Sequence, residues 1–236
     1  MAVALILSTA FVATKPEGPN RNVRINQYLN GLGEVAELTQ TYPVYDVFSV
    51  DNTVEAEAQV DSRVLAAVNR IPGLKSTCYF LDNRLGQINK GSGLIVQWNR
   101  ILPALLGKYE YTVHYEPRLR LVNTSFFERM EKMPAAYLGL EQGRVSRFRL
   151  LRRLEALPWA SGLLTVAPFF TGLFSMRTSD LAAYCKAADP AALVCWPGCV
   201  EADLFGWVRR AKIPHTQLPA LGVRWHDEAE GTWLDY

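Results

Sequence analysis

Apolar and polar residues follow one another along the first half of the chain in a pattern that predicts strands separated by helices. The apolar run over 3–8, VALILS, predicts a short buried strand. Apolar positions then recur at helical spacing over 25–36, which predicts an amphipathic helix capped by Asn20 or Asn22. The same patterns predict a second strand over 44–50, a second helix over 60–68 and a third strand over 78–81.

The polar segment DNRLGQINKGSG at 82–93 predicts a loop, followed by a helix with an apolar stripe over 94–102 and a strand over 109–113. Strands that alternate with helices form a parallel sheet with helices on both faces, so the predicted class is α/β. In such sheets ligands bind at the carboxyl ends of the strands, where polar residues of this chain also gather.

The second half is less regular. Residues 125–160 look helical with an interruption at MPAAYLGLEQG, and the segment from 214 onward is predicted to be a loop carrying two tryptophans. Between them the pattern predicts a strand over 169–176 and helices over 180–186 and 204–210.

Composition narrows the class of protein. The 236 residues are 49% hydrophobic and 20% charged, as in ordinary soluble proteins, and the net charge of +2 argues against a dedicated nucleic-acid binder. No apolar run reaches the roughly 18 residues of a membrane span. The segment AVALILSTAFVA resembles the core of a signal peptide, but no positive charge precedes it, so a buried first strand is the better interpretation.

The four cysteines do not predict a metal site or a redox motif. Cys195 and Cys199 form a C-x3-C pair, and Cys78 and Cys185 lie far from it in sequence. We expect all four to be reduced and mostly buried, which favours a cytoplasmic protein.

Two polar segments follow predicted strands in the first half. Asp51 ends the second strand, where its carboxylate could bind a ribose hydroxyl or a base N–H, or simply form a turn; Asn52 with Glu55 resembles a helix-capping pair. The segment Asn89-Lys90-Gly91 precedes a helix, and its glycine, free N–H groups and lysine are suited to an anion, although a turn is the alternative.

The segment HYEPR interrupts a strand with polar chemistry. Arg118 is suited to a phosphate or carboxylate, and Glu116 to a sugar hydroxyl, a metal or Arg118 itself. Pro117 ends the strand where these charges gather. The alternative is an ion pair at a strand edge, with His114 in the core.

Charged residues of the second half offer two further candidates. Glu201 and Asp203 open a helix, either as a general base or because the helix dipole favours acids there. Glu201 shares a face with the apolar Leu204 and Phe205, which favours Glu201 for the cleft. The arginine-rich run RVSRFRLLRR at 144–153 could touch a membrane surface or an acidic partner, or be a solvated face.

Taken in order, these features resemble a GT-A-fold glycosyltransferase of the inverting family 2, a single Rossmann-like domain over 1–236. The resemblance implies a nucleotide-sugar-binding half over 1–123 and an acceptor-side half over 124–236. It places the nucleotide sugar on segments of the first half: Thr9, Ala10, Asp51, Asn89, Lys90, Gly91, His114, Glu116 and Arg118. It places the acceptor at Thr171, Gly172 and Arg177, and the catalytic base at Glu201 or Asp203.

One family feature is missing. The resemblance implies an Asp-x-Asp motif that holds Mn²⁺ or Mg²⁺ on the donor diphosphate, and this chain has His114-Tyr115-Glu116 instead. Either His114 and Glu116 form a weaker metal site, or Arg118 and Lys90 neutralise the diphosphate directly; we favour the second, without a required metal.

The implied function is inverting sugar transfer from a nucleotide sugar to a hydroxyl of a glycan or other acceptor. A nucleotidylyltransferase is the alternative enzyme, although the first turn lacks the Gly-x-Gly-Thr-Arg loop of that class. A non-catalytic partner protein with this fold is the alternative outside enzymes.

Overall fold

The structure is a computed structural model that describes residues 2–12, 21–140, 145–146, 165–166, 168–195, 199–227 and 232–236. Its centre is an eight-stranded sheet. The strands are β1 Val3–Thr9, β2 Tyr45–Asp51, β3 Thr53–Val54, β4 Leu74–Leu81, β5 Tyr111–Tyr115, β7 Tyr137–Gly139, β10 Leu173–Arg177 and β11 Thr216–Leu218. Their order in the sheet is β11-β7-β10-β5-β1-β2-β4-β3.

The middle of the sheet is parallel. Strand β1 pairs in parallel with both β2 and β5, and β2 pairs in parallel with β4, whereas β10 runs antiparallel to β5. The register sets Thr9 opposite Asp51 and Leu7 opposite Tyr115, so the carboxyl ends of β1, β2 and β5 meet at one edge. Strands from 124–236 thus complete the sheet begun by 1–123.

Helices cover both faces of the sheet, and each face has its own core. The α-helices are Arg21–Thr41, Ser62–Asn69, Arg84–Ile88, Lys90–Leu105, Ser125–Lys132, Thr178–Ala187, Pro190–Cys195 and Val200–Arg210, with a 3₁₀ turn at Glu57–Gln59. Leu32 and Val64 belong to one core, and Trp98 and Leu204 to the other. Every residue of β1 is buried, because a strand between two helical layers has no solvent face. The predicted α/β class with a mainly parallel sheet is confirmed.

The predicted loop over 82–93 is wrong, since the segment is helical at Arg84–Ile88 and again from Lys90. Its glycines allow close packing: a Cβ on Gly91 would lie 2.6 Å from Cβ of Val200. The predicted capping by Asn52 is also wrong. Its side chain is instead part of a buried amide network, donating to the Asp82 carbonyl at 3.1 Å and accepting from Gln97 at 2.9 Å.

Two predictions for the second half also need correction. Within the described part of 125–160, only Ser125–Lys132 is helical, and the interruption contains strand β7. The segment after 214 contains three strands: β11 and a hairpin of β12 Val223–Asp227 and β13 Thr232–Asp235. Strand β12 pairs with the short β6 Arg120–Leu121, which follows β5, so the hairpin is held beside the carboxyl end of β5.

Two short strands form a sheet of their own, apart from the others. Strand β8, Val145–Ser146, pairs antiparallel with β9, Thr165–Val166. Most of the arginine-rich run at 144–153 lies outside the described residues, so membrane contact through it stays a prediction.

Candidate active site

The end of β2 is fixed by Asp51, which is fully buried. One carboxylate oxygen accepts from Thr9 Oγ1 at 2.9 Å and from the Phe11 N–H at 2.8 Å. The other accepts from the Thr53 N–H at 2.7 Å and from Thr53 Oγ1 at 2.6 Å. Four donors therefore satisfy this carboxylate, and its role in the structure is to shape the turn after β1. A nucleotide contact by Asp51 or Thr9 stays a prediction, and it requires one of these donors to move.

That turn binds the first charged group of the site, Arg24. The Ala10 N–H donates to the Tyr28 hydroxyl at 2.7 Å, and the Ala10 carbonyl accepts from Arg24 Nη1 at 2.9 Å. Both partners lie on the Arg21–Thr41 helix, which is thereby fixed to the end of β1. Beside them a cavity of about 260 Å³ lies between Phe11, Ile25 and other side chains.

The segment Asn89-Lys90-Gly91 begins a helix, as the predicted site requires, but its residues differ in role. Asn89 caps the helix, since Oδ1 accepts from the Gly91 N–H at 2.9 Å while Nδ2 donates to the Leu193 carbonyl at 2.9 Å. Gly91 is buried against Val200. Only Lys90 of the three directs a charged group into the site.

A cluster of three cations occupies the cleft, and we call Arg24, Lys90 and Arg118 the cationic cluster. Lys90 Nζ lies 4.5 Å from the ring centre of Trp225, and the Arg118 guanidinium carbon lies 5.4 Å from the same ring. Arg118 also pairs with Glu116, at 3.6 Å between Nη2 and Oε2. The hairpin of β12 and β13 thus supplies an aromatic wall that places two cations next to each other.

The electrostatics of the cleft favour an anion. Desolvation by the surrounding side chains, together with the charges of Arg118 and Arg24, lowers the pKa of Lys90 to about 8, although part of the residue is exposed to solvent. The charge of Glu116 opposes this lowering. Neighbouring cations disfavour the charged form of a lysine, so this form is stabilised most when one phosphate neutralises all of these cations together.

His114 is a core residue and lies out of reach of a ligand in the cleft. Its ring is fully buried, packed 5.2 Å from the rings of both Trp98 and Phe174. Its Nδ1 bonds to the Thr171 carbonyl at 2.7 Å, and burial lowers its pKa to about 4. The assignments of His114 as a nucleotide contact or metal ligand are therefore corrected to a structural role.

The two candidate bases have different surroundings. Glu201 Oε1 accepts from Thr171 Oγ1 at 3.1 Å, and Glu116 and Lys90 both lie close enough to act on its charge. Burial raises the pKa of Glu201, and Thr171 opposes that rise. Asp203 instead accepts from the Tyr184 hydroxyl at 3.0 Å, on the neighbouring helix. The structure therefore brings Glu201, not Asp203, next to the cationic cluster.

The three predicted acceptor-side residues are split between the two edges of the sheet. Thr171 and Gly172 precede β10 at the cleft, where the Gly172 carbonyl accepts from the Glu116 N–H at 2.9 Å. Arg177 ends β10 opposite Tyr111, at the start of β5, because the two strands are antiparallel. Grouping Arg177 with Thr171 and Gly172 is therefore wrong.

Sequence analysis missed Arg24, Tyr28 and Trp225. Arg24 and Tyr28 lie one turn apart on the first helix, and the basic loop–helix junction before them was the available signal. Trp225 has no local signal, because β12 reaches the site through its pairing with β6.

A divalent cation does not fit the donors at this cleft. Among the described residues, no group of three or more His, Cys, Asp or Glu side chains lies together in a way that could hold a metal ion. Of the two residues considered for this role, His114 is enclosed in the core and Glu116 is paired with Arg118.

Within the described part of the chain, no helix has both the length and the apolar character needed to cross a membrane. Cys185 is buried, Cys78 and Cys199 are half-buried, and all three are free thiols. The reduced state of the four cysteines stays a prediction.

Comparisons with known proteins give only distant likenesses. No protein-family model matches the sequence, and no curated protein matches it. The fold resembles 4-diphosphocytidyl-2C-methyl-D-erythritolsynthase from Anaerococcus prevotii, with 8% identity, a TM-score of 0.47, and coverage of 92% of this chain and 86% of that one. It also resembles a protein from Desulfovibrio desulfuricans assigned as a nucleotide-diphospho-sugar transferase, with 12% identity, a TM-score of 0.45, and coverage of 92% and 80%. Likenesses this distant identify neither a family nor an activity for this chain.

Proposed function

We propose that this protein is a GT-A-like transferase that moves a sugar from a nucleotide sugar to an acceptor hydroxyl, with inversion at the anomeric carbon. The observation that carries the proposal is the cationic cluster beside the half-buried carboxylate of Glu201, at the carboxyl ends of parallel strands. Phosphate recognition and proton removal are thereby available within one cleft.

In the proposed reaction, the acceptor hydroxyl attacks the anomeric carbon from the face opposite the diphosphate. A new glycosidic C–O bond forms, the C–O bond to the diphosphate breaks, and the hydroxyl proton passes to Glu201. The raised pKa of Glu201 makes it a stronger base near neutral pH, which suits this role. The acceptor itself is defined only as a hydroxyl, for example of a glycan.

The leaving nucleoside diphosphate gains negative charge as the bond breaks, and this charge must be stabilised. Arg24, Lys90 and Arg118 supply that stabilisation in the proposed mechanism. Because the donor set does not fit a metal ion, we propose that these cations neutralise the diphosphate directly and that turnover needs no divalent cation.

The test is turnover of a panel of UDP-, GDP-, CDP- and dTDP-sugars, with water or a simple sugar as acceptor, in EDTA and in manganese. Glu201→Gln should lower turnover by roughly 10²–10⁴ while nucleotide binding survives. Asp203→Asn is the matched control, since its carboxylate contacts Tyr184 instead, and it should retain most of the activity.

Other outcomes point to the alternatives. Nucleotide binding with no turnover of any sugar nucleotide favours a non-catalytic protein. Release of pyrophosphate from a nucleoside triphosphate and a sugar phosphate favours a nucleotidylyltransferase. Full loss of turnover in EDTA, restored by manganese, contradicts the metal-free proposal.

A further inference from the structure

The hydrogen bond between the Thr171 hydroxyl and Glu201 has only one possible donor. A carboxylate only accepts hydrogen bonds when ionised, so Thr171 Oγ1 donates its proton to Oε1 across 3.1 Å. Thr171 is 2% exposed, so water has little access to replace this donor. Fixing one oxygen of a carboxylate also fixes the direction of the other.

The backbone around Thr171 is held on both sides. Its carbonyl bonds to His114 Nδ1 at 2.7 Å, which connects it to the middle of β5. The next carbonyl, that of Gly172, accepts from the Glu116 N–H at 2.9 Å. A Cβ on Gly172 would lie 2.6 Å from a ring carbon of Phe170, so this turn is closely packed. The hydroxyl of Thr171 is therefore presented to Glu201 from a fixed position.

We propose that Thr171 is a positioning residue for Glu201. The Thr171 hydroxyl orients the Glu201 carboxylate and keeps it in the ionised state that accepts a proton. The inference deepens the proposed function, on which it rests for the role of Glu201 as base. The contact itself is independent of that role, and so is the main test.

Other groups also act on the charge of Glu201. Lys90, on the neighbouring helix, favours the ionised form, whereas Glu116, at the end of β5, disfavours it. On the Thr178–Ala187 helix, Tyr184 lies close enough for the charge of Glu201 to act on it, and its hydroxyl donates to Asp203. Burial raises the pKa of Glu201, and the Thr171 hydrogen bond is among the contacts that lower it again. Removing the hydroxyl should therefore raise that pKa further.

The experiment compares Thr171→Val, which keeps the shape and loses the hydroxyl, with Thr171→Ser, which keeps the hydroxyl. Thr112→Val is the matched control, because Thr112 is also buried and its Oγ1 lies 3.0 Å from that of Thr178, at the other end of β5. The readout is the titration of Glu201 by ¹³C NMR of glutamate-labelled protein, with the resonance assigned from its loss in Glu201→Gln. Thermal unfolding of each variant confirms that it is folded.

We expect the Glu201 midpoint to move up by about one pH unit in Thr171→Val, since a hydrogen bond to a charged group contributes about that much. Thr171→Ser and Thr112→Val should keep the wild-type midpoint. An unchanged midpoint in folded Thr171→Val overturns the proposal, as does an equal change in Thr171→Ser or in Thr112→Val.

Catalysis gives the second readout. If the protein turns over a nucleotide sugar, the acidic limb of kcat/KM should move up with the NMR midpoint in Thr171→Val. If no nucleotide sugar is turned over, the proposed function fails, but the NMR titration still decides whether Thr171 controls Glu201. The two failures are thereby distinguishable.

Discussion

Replacing His114 by Asn should make the stability of the protein less sensitive to acid. The His114 ring is fully buried, and the Thr171 carbonyl can only accept, so Nδ1 carries the proton of the neutral ring. Its Nε2 contacts no hydrogen-bond partner among the described residues, so a second proton has nowhere to be stabilised. The Asn amide keeps a donor near the position of Nδ1 and removes the titration.

The lowered pKa of His114 determines the direction in which stability changes with pH. Burial lowers the pKa of His114 to about 4 in the folded protein, whereas an unfolded histidine titrates near 6.5. Acid therefore protonates the unfolded chain first, and the contribution of the neutral ring to stability is lost as pH falls from about 6.5 to about 4. At about 1.4 kcal/mol per unit of pKa difference, the full loss is on the order of 3 kcal/mol.

Urea unfolding followed by near-ultraviolet circular dichroism at pH 7, 6, 5 and 4 measures this loss. Between pH 7 and 4, wild type should lose on the order of 3 kcal/mol more than His114→Asn. His215→Asn is the matched control, because His215 also bonds a backbone carbonyl through Nδ1, at 2.8 Å, but is only half-buried. It should retain the wild-type pH dependence. Equal pH dependence in wild type and His114→Asn refutes the buried neutral ring.

Three further predictions concern the site and its support. Because the pKa of Lys90 is lowered to about 8, calorimetric affinity for a nucleoside diphosphate should fall from pH 7 to 9, and Lys90→Arg should flatten that fall; an equally steep fall in Lys90→Arg contradicts it. Gly91→Ala should lower the free energy of unfolding in urea by about 1–3 kcal/mol, because the added Cβ clashes with Val200, and Val200→Ala should restore part of that loss. Gly33→Ala, on an open helix surface, is the control and should be slightly stabilising. Asp51→Ala should lower the free energy of unfolding by about 3 kcal/mol in the same assay, and a decrease below about 1 kcal/mol contradicts the structural role of Asp51.

The elements with a strong local pattern could be predicted from the sequence. Strand β1 begins with an apolar run, Val3–Leu7, because both faces of the strand are covered, and β2 carries Val47, Phe48 and Val50 for the same reason. The apolar stripe of the Lys90–Leu105 helix repeats at helical spacing. The segment 82–93 could not be predicted, because its glycines are signs of a loop unless a partner packs on them. That partner, Val200, is distant in sequence, and so are the strands that pair with the 214–236 segment.

The candidate site also contains some residues that could be predicted from the sequence and others that could not. Lys90, Glu116 and Glu201 could be predicted, because each stands at a strand end or a helix start, where charge has a local reason to be noticed. His114 was ambiguous because a strand residue can face either the cleft or the core, and only packing against Trp98 decides. Trp225 could not be found, since the contact that places it depends on tertiary pairing.

Calorimetric binding of UDP, GDP, CDP and dTDP in EDTA tests the central claim most directly, that the cationic cluster binds a nucleoside diphosphate without a metal ion. We expect at least one of these ligands to bind wild type in EDTA, with little gain from manganese. Arg118→Gln should weaken that binding by roughly ten- to a hundredfold, the loss expected for a charge-assisted contact. Arg177→Gln, which removes an exposed arginine at the opposite edge of the sheet, should bind like wild type. Absence of binding in EDTA with recovery in manganese, or equal losses in Arg118→Gln and Arg177→Gln, would contradict the account.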